Sequence, residues 1–138
     1  MEPDSLSSRM GGIHTMRILI LYIVSISLAA IADACMDSGG KLIGHSAETI
    51  SIFVLLIVPF IQKYRGGWVW YIVAYLCLRV GMFDLAYNIA AGLPLTFHGS
   101  TSLWDGFIQA FNPPMWAELF GRAIFLFTGI MIPIQNIK

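Results

Sequence analysis

The chain has 138 residues, 57% hydrophobic and 12% charged, with a mean hydropathy of +0.75 and no formal net charge. Soluble domains are about 45–50% apolar and about 25% charged, so the composition argues against an ordinary soluble domain and for a membrane protein. The length leaves no room for a soluble domain beside a membrane bundle, and no basic run marks a nucleic-acid surface.

Residues 1–16 (MEPDSLSSRMGGIHTM) are polar and lack apolar periodicity. They read as a flexible tail, with Met16-Arg17 as an alternative start. The first apolar segment, Arg17–Met36, covers about 30 Å at 1.5 Å per residue, enough to cross a hydrocarbon core. Its end, Ala32-Asp33-Ala34 before Cys35, also resembles a signal-peptide cleavage site. Asp33 fits that site poorly and more apolar segments follow, so a retained first span is expected.

SGGKLIGHS (residues 38–46) reads as a Gly-rich turn carrying Lys41 and His45. A second span is expected over 46–62, with Pro59 kinking its far end. Lys63 to Gly67 turn the chain, and Trp68, Trp70 and Tyr71 mark a membrane interface. The third span is expected over 68–91. Gly92 suits the helix C-cap, and Pro94 cannot continue the helix. A short interfacial helix is expected over Leu103–Phe111. Asn112 as cap and proline in the first turn then open a fourth span over 114–134. The predicted fold is all-α, an integral membrane four-helix bundle with this short helix in its outer loop.

Four spans put the tail, the second loop and the C-terminus on one side, together with Arg9, Arg17, Lys63, Arg65 and Lys138. Only Lys41 falls on the other. The positive-inside rule places both termini in the cytoplasm of what reads as a bacterial inner membrane.

On that map the remaining ionisable groups gather at one depth. Asp33 and Asp37 close the first span, and His45 and Glu48 open the second. Asp84 and Asn88 lie in the outer half of the third, Glu118 and Arg122 in the outer half of the fourth, and Arg79 nearer the middle. The spacings are i,i+4 or i,i+3, so each pair shares a helix face. Charge within a membrane is costly, and the expected solution turns all four faces inward. Arg79 is then expected to pair with Asp84 or Asp33, and Arg122 with Glu118. Five acids face two arginines and a histidine, an excess that calls for protons, cations or water.

Two functions follow. The first is a carboxylate-rich polar site that binds a cation or passes protons, as carboxylates on inner bundle faces do elsewhere. The His45–Glu48 spacing reverses the recognised Glu-x-x-His signature, so no metal set is assigned. The second is a non-catalytic accessory or interaction protein whose charges define the bundle as an ion-pair network. The lipid bilayer is the expected partner, with a homo-oligomer or larger membrane complex as candidates. No GxSxG, HExxH, P-loop or CxxCH motif occurs, so no catalytic residue or cofactor beyond a cation is named.

Other residues read as structural. Cys35 and Cys77 are expected as buried free thiols. Gly81, Gly121 and Gly129 are expected to let helices approach closely. Trp68, Trp70, Trp104 and Trp116 read as interface belts. His98 is expected on the surface of the outer loop, and His14 lies in the tail.

The segment FDLAYNIAAGLPLTFHGSTSLWD resembles a stretch of small multi-spanning membrane proteins of bacteria and their phages. The likeness lies in an arginine ahead of the Phe-Asp pair, a Tyr-Asn, and a Gly-Leu-Pro run leading to a glycine and a downstream aspartate. The first-helix acids and Arg122 fit as well, over about two thirds of the chain. This resemblance implies a bacterial or viral origin and no particular chemistry.

Overall fold

The computed structural model describes residues 4–61, 68–97, 106 and 110–135. Four helices account for nearly all of them: α1 (Asp4–Asp37), α2 (Lys41–Ile61), α3 (Trp68–Ala91) and α4 (Met115–Gln135). There is no strand among the described residues. Each helix contains a stretch long and apolar enough to cross a membrane: Thr15–Asp37, Lys41–Pro59, Trp68–Ala91 and Met115–Gln135. The helices alternate in direction. The α1–α2 turn, the end of α3 and the start of α4 therefore share one end of the molecule, called the distal end below.

Three boundaries differ from the sequence expectation. Helix α1 starts at Asp4 and not at Arg17, so residues 4–16 continue the helix. No proline interrupts them, and the Gly11-Gly12 pair weakens a helix without ending it. At the other end of α1 the turn is only Ser38–Gly40, and α2 begins at Lys41, five residues before the expected Ser46. Gly39 adopts φ +88°, and the Gly40 amide bonds the Cys35 carbonyl at 2.8 Å. That closes α1 with a left-handed glycine cap and turns the chain within three residues. At the start of α4 the carbonyl of Pro114 receives the first helical bonds, from Ala117 and Glu118. Asn112, expected as the cap, instead takes φ +41° before the two prolines, a conformation asparagine tolerates better than most residues.

The end of α3 repeats the device seen on α1. Gly92 has φ +68°, and the Leu93 amide bonds the Asn88 carbonyl at 2.8 Å. The interfacial helix expected over Leu103–Phe111 falls largely outside the described residues, as do Lys63, Arg65, His98, Trp104, Asp105 and Lys138.

Helix α1 is the hub. Its apolar stretch is 44% buried, against 17–22% for the other three. Among the described residues, helix α2 packs along α1 alone, α3 packs on both α1 and α4, and α4 also touches α1. Ile18, Leu19, Tyr22 and Ile26 of α1 form the core with Val58 of α2 and Leu78 of α3. Polar contacts also join the hub to its neighbours. Ser25 and Ser51 exchange bonds, each hydroxyl donating to the other's carbonyl (3.1 and 2.9 Å), with their oxygens 3.0 Å apart. The Tyr22 hydroxyl donates to the Tyr71 carbonyl at 3.2 Å, and its ring meets Tyr75 edge-on.

The third contact surface, α3 on α4, is built from glycine. A Cβ on Gly81 would stand 2.7 Å from Leu126 Cγ and 3.1 Å from the Arg122 carbonyl oxygen. One on Gly129 would stand 2.7 Å from Leu78 Cγ and 3.0 Å from the Ala74 carbonyl oxygen. Each helix thus offers a glycine to a leucine of the other. Gly121, expected in the same role, faces open space. It lies next to Arg122 in sequence but about 100° away around the helix. Gly44 does the equivalent for α2, seating against Met36 and the Ala32 carbonyl of α1.

Gly81→Val and Gly129→Val are each expected to cost about 1–3 kcal/mol through overpacking, read as earlier unfolding of the detergent-purified protein. Gly121→Ala should stay within about 0.5 kcal/mol of the parent in the same assay.

Candidate functional site

The buried polar centre is an arginine. Arg122 lies on the α4 face that also buries Glu118, Gly129 and Pro133, spaced four, seven and four residues apart. Its side chain is 2% exposed. Nε donates to Glu118 Oε1 at 2.9 Å, one turn back on the same helix. Nη2 stands 2.9 Å from Asp84 Oδ2 on α3. One guanidinium thus holds two carboxylates, of which Glu118 is buried and Asp84 is 23% exposed. The glycine contact on the same two helices sets the spacing: Gly81 is one turn before Asp84, and its nearest backbone neighbour is Arg122 itself.

Asn88, one further turn along α3, is also buried and has a different task. Its side-chain amide donates to the carbonyls of Leu95 (3.1 Å) and Phe97 (3.0 Å). It pins the start of the α3–α4 connection back onto the helix. That connection makes its own turn, with the Phe97 amide bonding the Pro94 carbonyl at 2.8 Å.

The remaining candidates do not join this cluster. Arg79, expected to neutralise Asp84 or Asp33, makes an ion pair with neither among the described residues. Its guanidinium lies over the Phe83 ring, 4.4 Å from the centroid, in a cation–π contact. The reason is angular. Five residues separate Arg79 from Asp84, about 140° around the helix, so the two point to different faces. Asp33 is half-buried on α1, within electrostatic reach of Arg79, Glu48 and Asp37. Asp37, exposed at the end of α1, accepts a 2.6 Å hydrogen bond from the Tyr87 hydroxyl of α3. His45 and Glu48 stand 3.6 Å apart with side chains 67% and 51% exposed, so they face outward from α2.

The expected single inward convergence is therefore replaced by two groups: Asp84, Glu118 and Arg122 between α3 and α4, and Asp33, Asp37 and Tyr87 near the distal ends of α1 and α3, with the His45–Glu48 pair set apart on α2. Among the described residues no three His, Cys, Asp or Glu side chains meet in a set able to hold a metal ion. A groove of about 370 Å³ runs between the distal ends of α1 and α3. Ile31, Ala34, Cys35, Ala90 and Ala91 line it with Asp37 and Ser38, and Arg122 is not among its residues.

Sequence reasoning missed Tyr87 and the Ser25–Ser51 pair. The signal for Tyr87 was present, since a tyrosine in an apolar span carries a hydroxyl that needs a partner. The serines gave none, because a hydroxyl in an apolar helix can equally bond its own preceding turn. Ser46 and Thr49 do so, to Leu42 and His45. Both cysteines are free thiols, half-buried.

No protein-family model, curated protein or solved structure matches this chain.

Arg122→Met is expected to cost about 3–5 kcal/mol, since it takes the guanidinium away from two carboxylates at once. Tyr87→Phe loses one exposed hydrogen bond and should cost about 1 kcal/mol or less. Chemical unfolding of both variants in one detergent would test the contrast.

Proposed function

We propose that the chain is a small polytopic integral membrane protein of the accessory or interaction kind, a subunit of a membrane complex or a phage-encoded modifier of the host envelope. Its buried charges act as an ion-pair network that fixes which helices pack together. The observation that carries this reading is the Arg122 side chain, held by Glu118 on its own helix and Asp84 on the next. A transport pathway needs polar groups along a route, whereas these three are packed on one another and the other acids stand apart. The outward-facing His45–Glu48 pair on α2, a helix supported among the described residues by α1 alone, supports a partner or a second copy on that side. The setting is a bacterial inner membrane with both termini in the cytoplasm, on the strength of Arg17, Lys63 and Arg65 against Lys41.

A second reading draws on the charge count within the cluster. Two carboxylates share one guanidinium, the arrangement that a cation- or proton-binding site would exploit. The two readings diverge in thermal unfolding of the detergent-purified protein across Na⁺, K⁺, Mg²⁺, Ca²⁺ and Zn²⁺. The network reading predicts the same midpoint in every salt at equal ionic strength. Selective stabilisation by one ion, about 2.7 kcal/mol at one hundred times its dissociation constant and lost in Asp84→Asn, would establish the cation site instead.

A further inference from the structure

Arg122 leaves part of its hydrogen-bonding capacity unused. Its guanidinium is buried, yet neither Nη1 nor Nη2 makes a hydrogen bond among the described residues, since the 2.9 Å approach of Nη2 to Asp84 is off the bonding direction. A buried guanidinium N–H without an acceptor is costly, and more so in a low-dielectric interior. Something must accept from it.

The neighbouring groups restrict what that acceptor is. Two carboxylates already surround the guanidinium, so an anion would be repelled. The acceptor is therefore neutral and carries an oxygen lone pair. It also benefits from donors of its own, because a carboxylate, with about four lone-pair sites, can accept from several donors at once. Water meets each condition and finds the two to four polar partners that a buried water requires.

Position favours it as well. Arg122 is seven residues from the start of α4 and Asp84 seven from the end of α3, so both lie about 10 Å in from the distal end. Asp84 is 23% exposed while Arg122 is 2% exposed, so the cluster meets the surface at the aspartate.

We propose that Arg122, Asp84 and Glu118 form a water-binding site, with water bonded to the free guanidinium N–H groups and to the two carboxylates. This goes beyond the ion-pair reading, under which the cluster would serve equally well dry. A hydrated cluster keeps its carboxylates in exchange with the distal aqueous phase, whereas a dry one seals them.

Water-edited solid-state NMR on ¹⁵N-arginine, ¹³C-labelled protein in lipid bilayers tests the inference without a variant. The Arg122 signals are assigned by through-space correlation to the Asp84 and Glu118 carboxylate carbons. The expected result is transfer of water magnetisation to the Arg122 Nη groups on the same mixing times as to Arg17, which is exposed. Arg122 signals that show both carboxylate correlations but receive no water magnetisation, while Arg17 does, would overturn the water site and leave the ion-pair network standing. Absence of the carboxylate correlations would overturn both.

Discussion

One guanidinium organises half of this molecule. Arg122 reaches Glu118 along its own helix and Asp84 across to α3, and the two helices can approach that closely because Gly81 and Gly129 remove the side chains that would hold them apart. The glycines and the ion cluster depend on each other. A wider gap between α3 and α4 would leave Asp84 out of reach of Arg122, and an unneutralised Arg122 at 2% exposure would not be tolerated in the interior. Asn88 extends the same face of α3 outward and ties the start of the following loop to it, one turn beyond Asp84.

The other half depends on hydroxyls. Helix α1 joins α2 through the reciprocal Ser25–Ser51 bonds and joins α3 through Tyr22, with Gly44 letting α2 close on Met36. In water such contacts would be minor beside hydrophobic burial. In the proposed membrane setting, lipid tails are as apolar as leucine, and close packing and interhelical hydrogen bonds take over the pairing of helices. The apolar side chains exposed along α2, such as Phe53 and Leu56, suit the same setting.

Much of this was legible in the residues. The four apolar blocks, the glycine stop after α3, and the shared face of Glu118 and Arg122 follow from length and helical spacing. Which arginine neutralises Asp84 was also encoded, though by angle and not by depth. Arg79 sits on another face of α3 than Asp84, while Arg122 continues the face that Gly129 marks seven residues later. Depth along the membrane suggested one convergent site; angle around each helix splits it. The serine contacts were not legible, because their meaning depends on the register of α1 against α2. The compact turn at Gly39–Gly40 was hidden by Gly44 and the polar Lys41, His45 and Ser46, which lie in the first turns of a helix.

The central claim is that Asp84 and Arg122 act as one unit across the α3–α4 interface. A double-mutant cycle with Asp84→Asn, Arg122→Gln and the double variant, read by reversible unfolding in one detergent, measures it directly. The account predicts a coupling free energy of about 1–3 kcal/mol, with the double variant less damaged than the sum of the single losses. Additive losses would mean that the two side chains do not sense each other, and the account of how α3 and α4 are held together would be wrong.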